Sequence, residues 1–201
     1  MRRTVITVGP QDNGRRMSLE DFDLAEAQEG YNYELSRGVV VVSDIPNQPH
    51  LAQIKDVKRQ VHAYDFQHPG KIDTIATGSE CKLLLADLQS ERHPDLSIYK
   101  SRMPLEGNIW AIWIADIVVE VVSAGSEYRD YVLKREEYWD FGVKEYWIID
   151  AYRRELLALR RGKNDWTEHH VRPPKLYKTR LLPGFEFDIA AVFAAAEAAG
   201  L

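Results

Sequence analysis

The run Asp116-Ile117-Val118-Val119-Glu120-Val121-Val122 decides how this chain is read. It closes a largely apolar stretch, Ile112 to Val122, of the kind that forms a strand buried on both faces of a sheet. Side chains alternate along a strand, so Glu120 shares its face with Val118 and Val122. An ionised carboxylate in that position is costly unless it is paired, hydrogen-bonded, protonated or bound to a cation. Alone, Glu120 reads equally well as a partnered structural residue and as part of a site.

The nearest support lies upstream. Pro94-Asp95 begins a second apolar strand, Pro94 to Tyr99, and two neighbouring strands would set Asp95 beside Glu120. Pro-Asp by itself is more often a strand-entry turn, so the signal is in the pair. Two oxygen donors with open positions suit magnesium, which keeps several waters and takes one or two protein carboxylates. Such an ion polarises a phosphate and lowers the pKa of a bound water. Val122 stands where a lysine on the face of Glu120 would complete an acidic-x-Lys arrangement. The next candidate cation is Lys134, in the helical run Arg129-Asp130-Tyr131-Val132-Leu133-Lys134-Arg135-Glu136. A long side chain on a helix packed against the sheet can reach back to the carboxylates. Equally, Lys134 can sit in solvent and pair with Asp130 four residues earlier.

Farther out, Ser18 caps a short expected helix over Leu19, Phe22, Ala25 and Ala27 that ends near Gly30. Tyr31 to Leu35 and Val39 to Val42 form a hairpin around Ser36-Arg37-Gly38. Leu51, Ile54, Val57, Val61 and Tyr64 repeat at helical spacing from His50 and stop at His68-Pro69-Gly70. Strands are expected at Ile72 to Ala76, Cys81 to Leu85 and Val143 to Asp150. A helix is expected over Ser126 to Phe141 with Gly142 after it, then a hairpin of Leu156 to Leu159 with Trp166 to Val171, and a terminal helix Ala190 to Ala199.

Composition bounds the function. The 201 residues, 45% of them hydrophobic, fit one domain over 1–201 with a flexible segment 1–16. A single cysteine, Cys81, offers neither an internal disulfide nor a thiolate metal cluster. The N-terminus is basic without the apolar stretch of a signal peptide, and no run of about 18 apolar residues occurs, so a cytoplasmic protein with no membrane association is expected. A formal net charge of -5 argues against coating nucleic acid through bulk charge. It remains compatible with a nuclease, whose bound divalent ion reverses the local field. A phosphate-binding Gly-rich loop and an HExxH motif are both missing.

Pro94-Asp95, the run Asp116 to Ser123, Arg129-Asp130 with Lys134, and Gly142-Val143-Lys144-Glu145-Tyr146-Trp147, taken in that order, resemble the Uma2 family of endonucleases, a branch of the PD-(D/E)xK superfamily. Tyr33-Glu34-Leu35 with Gly38, His50, and Leu182-Pro183-Gly184-Phe185 extend the resemblance to about residues 17 to 193. It implies an α/β, restriction-endonuclease-like fold with a mixed central sheet flanked by helices. It also implies Asp95 and Glu120 as ligands of Mg2+, with Mn2+ as a substitute, Lys134 as the lysine moved to the helix, and Glu34 as a further acidic member. Lys134 would orient the attacking water or stabilise developing charge. His50 is either a contact to phosphate or to a carboxylate near the ion, or else structural or solvent-exposed, and Arg129 is open in a similar way. Ser123-Ala124-Gly125-Ser126 replaces the usual Ser-Pro-Ser-Thr, and Ala115 a usual proline, which alters loop geometry more than metal chemistry.

The expected activity is magnesium-dependent hydrolysis of DNA by a homodimer, for which Tyr146 and Trp147 are the candidate apolar contacts unless they are core. The competing readings are a catalytically silent nucleic-acid-binding or protein-interaction domain on the same fold, and a hydrolase of another phosphate ester.

Overall fold

The computed structural model describes residues 5–201. Its strands are β1 (Thr7–Val8), β2 (Glu26–Ala27), β3 (Tyr31–Ser36), β4 (Val39–Asp44), β5 (Thr74–Ala76), β6 (Leu83–Leu85), β7 (Ser90–Arg92), β8 (Leu96–Tyr99), β9 (Ile117–Val121), β10 (Glu145–Asp150), β11 (Glu155–Arg161) and β12 (Trp166–Val171). Its α-helices are α1 (Leu19–Asp23), α2 (Gln48–Gln67), α3 (Ile109–Ile112), α4 (Lys134–Phe141) and α5 (Ile189–Ala198). The architecture is mixed α/β.

The central sheet has the order β12-β11-β10-β9-β8-β5. Only β9 and β10 run parallel in it, joined by the crossover that contains α4; the other neighbours are antiparallel. Both faces of β9 are covered, which is why its sequence is nearly continuous in β-branched residues. Ile117, Val119 and Val121 enter one core with Val57, Val61 and Tyr64 of α2 and Val192 and Phe193 of α5. Val118 and Val122 enter the opposite core with Tyr138 and Phe141 of α4 and Tyr146 and Ile148 of β10. Glu120 is therefore on the α4 side, as alternation requires.

Helix α2 starts where Asn47 accepts a hydrogen bond from the His50 amide at 3.0 Å and Pro49 occupies the first turn. Helix α4 stops at Gly142, whose φ of 97° lies in the left-handed region. A Cβ there would sit 3.3 Å from Ile114 Cδ1. Gly142→Ala is expected to cost about 1–2 kcal/mol from the backbone alone. Urea denaturation checks it, and an unchanged midpoint would contradict this account of the helix end.

A second, four-stranded antiparallel sheet, β4-β3-β7-β6, was not foreseen as a separate layer. Its hairpin turns through Arg37 and Gly38, both with positive φ (50° and 73°), the geometry that suits the twist of a two-residue connection. The alternation of β3 puts Leu35 into a small core with Val8, Met17, Phe22 and Val40, and turns Glu34 and Ser36 toward α4.

Several boundaries differ from expectation. The helix over Leu19 to Ala27 ends at Asp23, and Glu26–Ala27 pairs with Thr7–Val8 instead. Pairing with β1 takes the chain out of the helix just after Leu24. The expected long strand from Ile112 begins only at Ile117, because Ile109–Ile112 forms a helical turn and Trp113 stacks on Tyr99 at 3.8 Å. The Ser90–Arg92 strand was not read, being three residues long. Of the segment 1–16 expected to be flexible, residues 1–4 lie outside the described residues. Farther along it, Val8 is buried, and the Arg15 and Val42 regions meet through Val40 N–H donating to Arg15 O, covering the edge of β4. Tyr146 and Trp147 are fully buried, so they offer no contact surface to a second copy.

Candidate active site

The pairs Leu96↔Val119, Ser97↔Val118 and Ile98↔Ile117 set β8 antiparallel to β9. Extending that register by one residue places Asp95 opposite Glu120, on the same face of the sheet. Asp95 is held from two sides: Oδ2 accepts the Val121 amide at 2.7 Å, and Oδ1 lies 3.0 Å from His50 Nε2. His50 Nδ1 in turn is 3.1 Å from Ser123 Oγ. His50 is thus turned toward Asp95. Glu120 Oε1 accepts a hydrogen bond from the Tyr138 hydroxyl at 2.5 Å and lies 2.8 Å from the Lys134 ammonium. Lys134 is buried and does not point to solvent; its distance to Asp130 Oδ1 is 3.6 Å, longer than to Glu120.

Glu34 arrives from the second sheet. Its Oε1 accepts the His93 amide at 3.0 Å and lies 3.8 Å from Lys134 Nζ, while Oε2 takes Arg92 Nη1 at 3.0 Å. Arg92 was missed in the sequence although it organises this side of the site. It is fully buried, with Nε on Glu137 at 2.5 Å and Nη2 on Ser36 Oγ at 2.7 Å. It ties β3, β7 and α4 together. Tyr138 was missed as well; its position four residues after Lys134, on one helix face, was the available signal.

The helix leading into Lys134 opens with a π-helical segment, Arg129–Leu133, in which the Lys134 amide donates to Arg129 O. Such bulges recur at functional sites. The preceding turn is tied by Ser126, whose hydroxyl accepts the Ser123 amide at 2.9 Å and approaches Asp130 Oδ2 at 2.5 Å.

Electrostatics separates the carboxylates. Burial raises the Glu120 carboxyl; Lys134 opposes this, but Asp95, Asp130 and Glu34 add to it, and the pKa is pushed from 4.5 to about 8. Burial also disfavours ionised Glu34, yet Lys134, Arg92 and Arg129 overcome it and bring the pKa to about 2. Lys134 is held above its ordinary value: burial works against its charge, and Glu120, Glu34 and Asp130 outweigh burial. Between pH 4.5 and about 8 the folded protein keeps a proton on Glu120 that the unfolded chain has lost, so this group's contribution to stability falls as pH rises through that window. Ligation of a cation requires the carboxylate. Mn2+ affinity is therefore expected to rise about tenfold per pH unit up to about pH 8 and level off above it. Calorimetric titration checks this, and a pH-independent affinity would contradict it.

Two facing carboxylates of hard oxygen donors, crowded enough that one is forced to hold its proton, fit a divalent cation such as magnesium. Glu120 Oε2 has no hydrogen-bond partner among the described residues, whereas both oxygens of Glu34 are engaged. Among the described residues no group of three or more His, Cys, Asp or Glu side chains is placed to hold a metal ion, so an ion here would rest on Asp95 and Glu120 alone and keep most of its shell as water.

The family model described as "Putative restriction endonuclease", Uma2, matches residues 19–190. The chain belongs to the Uma2 family. A solved structure described as "a putative nuclease belonging to DUF820", from Anabaena variabilis, superimposes on this Uma2 chain with a TM-score of 0.74 at 18% identity, covering 90% of this chain and 99% of that one. That likeness is one of fold. No curated protein matches. Among the described residues of the Uma2 chain, no helix is long and apolar enough to cross a membrane.

Proposed function

We propose that this protein is a magnesium-dependent endonuclease that hydrolyses DNA phosphodiester bonds at a centre built from Asp95, Glu120 and Lys134. The observation that carries this reading is the register-opposed pair Asp95 and Glu120 with the buried Lys134 ammonium 2.8 Å from Glu120. The family's description as a restriction endonuclease supports it.

Asp95 and Glu120 would hold the ion, which when bound supplies Lewis-acid polarisation of a phosphoryl oxygen. His50 and the Val121 amide orient Asp95, and Tyr138 orients Glu120. Lys134 keeps its proton at neutral pH, so it does not take one from water. It acts as a fixed cation and donor, orienting the nucleophile or meeting negative charge that develops on the phosphoryl oxygens. Glu34, fixed by Arg92, keeps that ammonium charged and limits its travel.

Supercoiled and linear DNA, incubated with Mg2+, Mn2+ or EDTA, test the reading. Cleavage is expected with either ion, and is expected to disappear with EDTA and in Lys134→Ala. Cleavage that survives EDTA or Lys134→Ala removes this centre from consideration. Binding without cleavage of any nucleic acid identifies a silent scaffold instead.

A further inference from the structure

Three cationic side chains surround the carboxylate centre, and they are not equivalent. Arg92 has all three guanidinium nitrogens hydrogen-bonded, to Glu137, Glu34 and Ser36, and its side chain has no exposure. Lys134 is committed to Glu120, with 5% of its side chain exposed. Arg129 makes no side-chain hydrogen bond among the described residues. Its Nε is enclosed without a partner, and the nearest acidic oxygen, Asp130 Oδ1, is 3.8 Å away. Yet 24% of its side chain reaches solvent. That same Asp130 oxygen lies 3.6 Å from Lys134 Nζ, so the guanidinium stands beside the centre.

We propose that Arg129 is the residue through which this protein holds a phosphate group of the DNA backbone at the carboxylate centre. The inference rests on the nuclease reading above and adds a binding residue to it. A guanidinium that makes no hydrogen bond and only a long ion pair retains the donors that a planar, forked partner would use, and phosphate is such a partner. A polyanion approaching Glu34, Asp95, Glu120 and Asp130 in a chain of net charge -5 also needs a cation at the point of entry. Solvent reaches the centre at Asp95, whose side chain is 21% exposed, and Ala124 and Gly125 in the turn after β9 are exposed as well. The alternative role for Arg129 is that of a counter-ion that only offsets the buried carboxylates.

The two roles differ in how DNA binding responds to salt. A labelled duplex is titrated with wild type, Arg129→Ala and Arg129→Lys in Ca2+, at several salt concentrations, with fluorescence anisotropy as the readout and Mg2+ cleavage run alongside. Arg129→Ala is expected to bind on the order of tenfold more weakly, with the slope of log affinity against log salt reduced in magnitude by about 1. Arg129→Lys is expected to restore the slope but only part of the affinity, because it keeps the charge without the fork. If Arg129→Ala does not fold, Arg129→Gln, which keeps the stem, replaces it in the same titration. Wild-type slope and affinity in the uncharged variant, alongside active wild type, overturn this inference while leaving the nuclease reading intact. A wild type that neither binds nor cleaves DNA with any of these ions overturns both.

Discussion

Asp95→Asn is expected to lower magnesium-dependent DNA cleavage by on the order of 10³-fold or more, the loss that accompanies removal of several kcal/mol of transition-state stabilisation by a metal ligand. The substitution keeps the shape of the side chain and an acceptor for the Val121 amide, which Asp95 Oδ2 now receives at 2.7 Å. It removes the charge that His50 faces and the anionic donor a cation requires. The fold is expected to persist, because Leu96 to Tyr99 remain paired to β9 and buried. Single-turnover cleavage together with thermal melting separates the two effects. Activity within tenfold of wild type would mean that Asp95 is a strand-entry residue and nothing more.

The second large effect is on stability. Arg92→Ala leaves Glu137 buried without its cation and Glu34 with only the Lys134 ammonium 3.8 Å away, and breaking a buried ion pair by removing one partner typically costs about 3–5 kcal/mol. Glu137 is fully buried and would keep only the hydroxyls of Ser36 and Ser90, at 3.0 and 3.2 Å. The linkage between the second sheet and α4 would also be lost, so urea unfolding is expected to shift strongly. A loss below about 1 kcal/mol, the range of exposed pairs, would show that this network is not what joins the two layers.

The parts of the site that were legible in the sequence are those whose logic is local. Alternation within one strand placed Glu120 on a determinate face, and Pro94-Asp95 marked a second strand entry; whether the two strands were neighbours had to come from the fold. Lys134 was legible only through the family pattern, because the reach of a helix-borne lysine depends on how the helix packs on the sheet. Its alternative partner Asp130, the natural choice from helical spacing, turned out to be the more distant one. Arg92, Glu137 and Ser36 were illegible for a related reason. Arg92 meets Glu137 across 45 residues and Ser36 across 56, and the strand carrying it has no room to show periodicity. The apolar stretch before Ile117 misled because aromatic stacking of Trp113 on Tyr99 competes with strand pairing, and a run of apolar residues does not say which prevails.

In the proposed centre Asp95 and Glu120 jointly hold a divalent cation. Crystals of the protein soaked in Mn2+ near pH 8, with data collected for anomalous scattering, measure this directly. The account predicts one strong anomalous peak within coordination distance of a carboxylate oxygen from each of Asp95 and Glu120, with Lys134 still beside Glu120. No peak there, with His50 still on Asp95 and both Tyr138 and Lys134 still on Glu120, or a peak held by other residues, would contradict it.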